Sequence, residues 1–316
     1  MRQASALLIL LLAPISVFAQ QRAITHEDVW LLHRIGAPAL SPDGKHAVFS
    51  VTEPSYDAAL NVSDLWIVPT DGSSPARKLT NSRGGESGAT FSPDGQTLAF
   101  SARREGDEAE QIYLLPLAGG EARRLTNIAT GAGSPRFRPD GKAVLFTAQF
   151  AEGAKNLDDH KKLSDEQKAR KDTARTYDAF PVRFWNAWLE KREPVFGWQE
   201  IDGKAATMVT VAPLRGAFGG SINEELTPVW TPDGKSIVFQ GIANRHHGMS
   251  EETEMALYVV AAQGGAPRRI TPPGTNYSNP VFSPDGQALY AAESRTSTSK
   301  SRSSKPSPTR RSIPAR

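Results

Sequence analysis

The chain has 316 residues, 39% of them hydrophobic and 22% charged, a balance ordinary for a soluble protein. It contains no cysteine, which excludes disulfides and thiolate metal sites. The formal charge of +3 is carried by residues 294–316, which hold seven basic side chains and no acid; the rest of the chain stands at −4, so no basic surface for nucleic acid is expected.

In chain order, Arg2 and the unbroken apolar run over residues 7–12 lead to Val17 and Ala19, small residues placed for cleavage before Gln20. This predicts a signal peptide over 1–19 and export, with a bacterial periplasm as the favoured destination. The run is too short to cross a bilayer, and no later segment approaches the roughly 20 apolar residues required, so no membrane span is expected after cleavage. Thr25 then reads as the cap of a short helix with Asp28 at its favourable end. His26 and His33 are seven apart and are expected as packed or exposed histidines rather than as metal ligands.

A stretch that recurs five times organises the remainder of the chain: Ser41-Pro42-Asp43-Gly44, Ser92-Pro93-Asp94-Gly95, Arg138-Pro139-Asp140-Gly141, Thr231-Pro232-Asp233-Gly234 and Ser283-Pro284-Asp285-Gly286. Proline presets φ, aspartate bonds back to nearby amides, and glycine takes the left-handed conformation that closes a hairpin. Each copy leads into a strand-like run such as Val48-Phe49-Ser50-Val51 or Ile237-Val238-Phe239. Proline-to-proline steps of 51, 46, 93 and 52 residues, the third nearly a double interval, indicate a repeat array of the β-propeller kind. The second half of each repeat supplies an apolar strand, a turn and a short basic strand: Leu65-Trp66-Ile67-Val68 before Arg77-Lys78-Leu79-Thr80, Ile112-Tyr113-Leu114-Leu115 before Arg123-Arg124-Leu125-Thr126, and Leu257-Tyr258-Val259-Val260 before Arg268-Arg269-Ile270-Thr271. Four short antiparallel strands make one blade, and blades bury their faces on one another, so the core is expected at the inter-blade interfaces. The basic pairs are expected to be solvated charges of the outer strands.

Residues 151–175, with seven basic and six acidic side chains, read as a polar surface insertion, and Ser164-Asp165-Glu166-Gln167 resembles a capping box opening a helix there. The aromatic stretch from Tyr177 to Trp188 replaces the turn missing from the double interval. Trp185 and Trp188 are expected in inter-blade packing rather than on a binding platform. The fold class is thus all-β: a propeller over 20–293 with about five to six blades' worth of sequence, incomplete, and a short polar helical insertion. Residues 294–316, with eight serines and three prolines, cannot bury a core and are expected to be disordered. They read either as a functional basic tail or, as the abrupt switch inside a blade favours, as a shifted reading frame.

Taken together, Ile24-Thr25-His26-Glu27-Asp28-Val29-Trp30, Ser41-Pro42-Asp43-Gly44-Lys45, Asp64-Leu65-Trp66 and the Tyr177 to Trp188 stretch resemble the N-terminal propeller of secreted bacterial prolyl oligopeptidase family enzymes, of the acylaminoacyl-peptidase and dipeptidyl-peptidase branch. The resemblance runs from about Ile24 to Glu293, and the Pro-Asp-Gly repeats are shared with TolB-like propellers. It implies a serine peptidase whose propeller restricts access of short peptides to an α/β-hydrolase domain with a Ser-Asp-His triad, the serine in a Gly-x-Ser-x-Gly elbow. These 316 residues contain no such elbow; Gly85-Glu86-Ser87-Gly88 and Gly131-Ala132-Gly133-Ser134 come nearest and lack the spacing. No catalytic, cofactor-binding or metal-binding residue is assigned, no cofactor is expected, and the chain by itself is expected to be inactive as a peptidase. The alternative is a TolB-like periplasmic module that holds a protein partner on its propeller face. His246-His247 has no ligand cluster at metal-site spacing, and there is no P-loop.

Overall fold

The computed structural model of the chain describes residues 22–57, 60–177, 182–184, 187–188, 192–209, 226–242, 254–295 and 309–314. The expected signal peptide and the His246-His247 pair lie outside the described residues. A short helix, α1 (His26–Trp30), comes first, capped by Thr25 as predicted and closed by a reciprocal bond that the Thr25 amide donates to the Asp28 carboxylate. It ends at Trp30, so His33 does not share a helix face with His26.

Among the described residues five antiparallel sheets of three to five strands follow, with one two-stranded hairpin. In the first, β1 (Arg34–Ile35) and β2 (Ala39–Leu40) both pair with β3 (His46–Glu53), followed by β4 (Val62–Pro69) and β5 (Arg77–Lys78). The second runs β6 (Glu86–Phe91), β7 (Thr97–Ala102), β8 (Gln111–Pro116), β9 (Arg123–Arg124). The third begins with β10 (Gly133–Phe137) and β11 (Ala143–Ala151). It is interrupted by helix α2 (Leu157–Ala169) and a small hairpin, β12 (Arg183–Phe184) with β13 (Ala187–Trp188), and ends with β14 (Arg192–Glu200) and β15 (Thr207–Val209). The fourth is β16 (Val229–Trp230), β17 (Ser236–Ile242), β18 (Met255–Ala261), β19 (Arg268–Arg269), and the fifth is β20 (Thr275–Phe282), β21 (Ala288–Arg295), β22 (Thr309–Pro314). Each sheet is one blade, and each Pro-Asp-Gly turn joins its first strand to its second.

The turn is a closed hydrogen-bond network. In the first copy, Ser41 Oγ donates to Asp43 Oδ1 at 2.6 Å and accepts from the His46 amide at 2.9 Å, while the Lys45 amide donates to Asp43 Oδ1 at 3.1 Å. The same three bonds recur around Ser92, Thr231 and Ser283. In the third turn Arg138 replaces the hydroxyl residue and its Nε donates to Asp140 at 2.9 Å. These donors hold all five aspartates below the usual carboxylate range.

The turns also stack blade on blade, which their hairpin role alone does not require. A methyl group on Gly95 would lie 3.5 Å from Pro42, on Gly141 3.6 Å from Pro93, on Gly234 3.8 Å from Pro139, and on Gly286 2.9 Å from Pro232. Below them the core is divided among the junctions, as the blade reading requires. Val48 and Ile67 meet Phe91 and Leu98, and Leu65 meets Phe100 and Tyr113, between the first two blades. Ile112 and Leu114 meet Phe146 and Val195; Leu145 and Phe196 meet Trp230, Phe239 and Tyr258; Val238 and Leu257 meet Tyr277 and Leu289.

The basic pairs are exposed on the outer strands as expected, apart from half-buried Arg269, and the second member of each is also an ion-pair partner. Lys78 reaches buried Asp64 at 2.7 Å, Arg124 reaches Asp107 at 2.7 Å, and Arg269 contacts Glu254. The insertion helix is capped by Asn156, not Ser164, which is buried inside it, because Asn156 Oδ1 accepts from the Asp159 amide at 2.8 Å. Trp188 is 54% exposed and stacks on Tyr177 at 6.3 Å instead of entering a core; Trp185 lies outside the described residues. In the described part of residues 294–316, β21 continues to Arg295 and Thr309–Pro314 pairs with it as β22; residues 296–308 lie outside the described ones.

Candidate functional site

The first strand of each blade carries a break that the turns position. Five residues before the turn proline stand Gly88, Ser134, Thr227 and Asn279, with φ of 63°, 54°, 37° and 52°; the last three are the non-glycine described residues in the left-handed region. Register shifts mark the break in β6, β10 and β20. In the first blade the strand is split into β1 and β2 around Gly36-Ala37-Pro38. A β-branched threonine at positive φ is strained, and surrounding structure must hold it there. The sequence signal is a proline one residue after the break, as Pro38, Pro135, Pro228 and Pro280, with Ala89 in the second blade. A residue before proline is already restricted.

Beneath the break, eight residues after the turn proline, the second strands place Ser50, Ser101, Thr147 and Gln240. Thr147 Oγ1 donates to the Gly133 carbonyl at 3.3 Å, and Gln240 Oε1 accepts from the Asn279 amide at 2.9 Å. A cavity of about 250 Å³ opens here, lined by Glu110, Thr130, residues 131–134, Arg136, Thr147, Gln149, Thr227 and Pro228 among others. It spans the second, third and fourth blades. Glu110 immediately precedes β8, and its carbonyl accepts from the Ala132 amide at 2.8 Å. Burial raises its carboxyl pKa, opposed by hydrogen bonds from Ser101 and Ser87, although part of the residue stays open to the cavity.

One wall of this cavity is tied to the insertion. His160 of α2 is fully buried, its ring stacked on Phe150 at 4.3 Å and 9°. Its Nδ1 accepts from the Ala151 amide at 3.1 Å, which places the proton of the neutral ring on Nε2, facing Thr130 Oγ1 at 3.1 Å. Thr130 Oγ1 in turn donates to the Gln149 carbonyl. Burial first, and the Arg192 charge second, push the His160 pKa below its ordinary 6.5.

The cavity therefore presents one carboxyl, one guanidinium and several hydroxyl and amide groups. That set suits hydrogen bonding to a polar ligand; the Thr130 hydroxyl, although 3.1 Å from His160 Nε2, donates to the Gln149 carbonyl and faces the protonated ring nitrogen. The two glycine-containing stretches nearest an elbow are structural: Gly88 and Ser134 are the strand breaks themselves, and buried Glu86 pairs with Arg104 at 2.8 Å. Glu110, Ser134, Thr227 and His160 do not stand out in the sequence as site residues. Only the proline spacing offers a cue to any of them.

Sheets, turns and cavity together define a β-propeller of TolB-like repeats whose ring is not closed by strand pairing among the described residues. Residues 60–178 match the Tricorn protease N-terminal beta propeller domain. Dipeptidyl-peptidase 5 of Porphyromonas gingivalis is 28% identical over 274 residues, 84% of this chain and 38% of the relative, so the chain spans well under half the length of that curated protein. Among solved structures, acylaminoacyl peptidase of Pyrococcus horikoshii overlaps 84% of this chain and 36% of its own, with a TM-score of 0.56 at 14% identity. A TolB structure from Agrobacterium tumefaciens overlaps 83% of this chain and 71% of its own, with a TM-score of 0.51 at 20% identity. The chain thus resembles dipeptidyl-peptidase 5 in sequence, and the acylaminoacyl peptidase and TolB structures in fold.

Proposed function

We propose that this chain is the substrate-restricting propeller of an exported, periplasmic serine peptidase of the prolyl oligopeptidase family. The observation that carries the reading is the identity to dipeptidyl-peptidase 5, which extends across 84% of this chain. In this role the propeller would hold short peptides on their way to a triad that these 316 residues do not contain, with the polar cavity among blades two to four contacting them. The test is the DNA beyond the Glu293 codon, read in all frames. A Gly-x-Ser-x-Gly reading frame in it supports the peptidase. Its absence, with envelope genes alongside, overturns it. The purified chain is expected to give no serine-inhibitor-sensitive turnover of fluorogenic acyl-peptide or dipeptide substrates.

A second reading, a TolB-like module that binds a protein partner, is supported by the overlap in fold with TolB of Agrobacterium tumefaciens, at a TM-score of 0.51.

A further inference from the structure

Helix α2 is held to the third blade mainly through one side chain. Its buried residues are His160 and Ser164, while Leu157 and Leu163 add partly buried contacts to the cluster that contains Phe150 and Ala154. The ion pair of Lys168 with Glu108 ties its end to the second blade, but both side chains are more than half exposed, and such pairs contribute little. On its other side the His160 ring backs Thr130, whose hydroxyl is bonded to the Gln149 carbonyl. Thr130 and Gln149 both line the polar cavity.

The ring can fill this place only while neutral. Nδ1 needs its lone pair for the Ala151 amide at 3.1 Å, and Ser164 Oγ lies 3.4 Å from the same nitrogen. A proton on Nδ1 sets two N–H donors face to face, leaves the buried Ala151 amide without its acceptor and places a charge against Phe150. The contact from Nε2 to Thr130 survives, so the loss falls where the helix joins β11.

The charged surroundings do not favour an imidazolium. Arg192 of β14 acts on the ring with the same sign. Phe150 and Ala151 of β11 and residues 127–130 carry no titratable group. The cleft beside His160 is lined by Asp107, Glu108 and Arg124 of the second blade and by Asp158, Lys161, Asp165 and Lys168 of the helix. Bonds from Lys168 and Lys161 hold the Glu108 and Asp165 carboxyls below their usual range. At Asp107 burial is outweighed by bonds from Tyr113, the Arg104 amide and Arg124, with the same result. These three carboxylates therefore titrate well below an imidazole.

We propose that His160 is an acid-sensitive latch: taking up a proton undocks α2 from the third blade and frees the Thr130 wall of the cavity. The device goes beyond the peptidase reading and does not depend on it. Burial first, and Arg192 second, hold the docked ring below 6.5, so docking is at full strength above about that pH. Below it the undocked form binds one more proton, and the docked-to-undocked ratio falls about tenfold per pH unit until the docked ring is itself protonated.

Amide hydrogen exchange of the whole chain, read by mass spectrometry from above to well below pH 6.5 and corrected for intrinsic rates, tests this. Residues 157–169 should lose protection about tenfold per pH unit below that value, and residues 127–134 should follow, while β7 and β17 keep theirs. His160→Phe retains a ring to stack on Phe150 without a titratable nitrogen and should abolish the dependence. If that variant fails to dock α2, the ring resonance of His160 in the parent decides: it is expected to titrate below 6.5, and a value at or above 6.5 overturns the latch. Protection of 157–169 that ignores pH, a dependence that survives in docked His160→Phe, or loss in all five blades at once also overturns it. Protection kept at 127–134 while the helix opens overturns the link to the cavity.

Discussion

Gly286 and Gly44 occupy the same place in their turns, with φ of 71° and 70°, yet differ in what lies beside them. Alanine at either position meets the left-handed penalty of about 1–2 kcal/mol. Only at Gly286 does the new methyl group also press on Pro232, at 2.9 Å. Gly286→Ala should therefore lower the urea midpoint by clearly more than Gly44→Ala, and equal losses would mean that the turn stack carries no packing. The turn aspartates add a pH dependence of known sign. Each is held below its ordinary pKa, first by a side-chain hydrogen bond, so the stabilisation is present above the unfolded value and fades as pH falls through the folded one. These turns are legible in the sequence because their chemistry is contained within six residues. Glu110 is not, because Ser87 and Ser101 reach it from two other strands.

At the scale of elements, one device ends the outer strand. Thr126 Oγ1 accepts from the Ile112 amide at 2.9 Å, and Thr80 and Thr271 do the same for Leu65 and Leu257 at 2.9 and 3.1 Å. Thr126→Val keeps the shape but leaves a buried amide without its acceptor, which should cost about 1–3 kcal/mol; a urea titration unchanged from the parent would refute this role. Helix α2 rests on His160, which is buried neutral with a lowered pKa. The unfolded chain takes up that proton more readily, so its contribution is complete above about 6.5 and declines as pH drops through the lower folded value. His160→Gln should remove that part of the pH dependence of stability, and a slope that persists in the variant would assign it elsewhere. The helix itself is legible but its start is not: Ser164-Asp165-Glu166-Gln167 has the spacing of a capping box, whereas Asn156 caps with its side chain alone. The aromatic stretch misleads for a related reason. Aromatic content indicates burial only when a surface is available to cover it, and Trp188 lies on a two-stranded hairpin outside the blades.

At the scale of the molecule, the repeat period predicts about five to six blades, and the described residues form five, because the interval between the third and fourth turns holds a single blade enlarged by α2 and the β12–β13 hairpin. It does not expose which residues meet across a junction, since Phe91 and Val48, or Trp230 and Leu145, come from different repeats and meet only with the blades side by side. The ion pairs behind the outer strands are hidden for the same reason: Lys78 and Asp64, or Arg124 and Asp107, meet only after the strands have registered. In the third junction Arg138 takes the hydroxyl's place in the turn, and its guanidinium lies over Trp198 of the third blade and Trp230 of the fourth, 5.7 and 5.9 Å from the ring centroids. The two indoles meet nearly edge to face, at 6.1 Å and 63°. Indoles held that close and that far from parallel share their electronic excitation. The contact between the third and fourth blades therefore carries its own optical signature, and its opening is visible in ultraviolet light without any label.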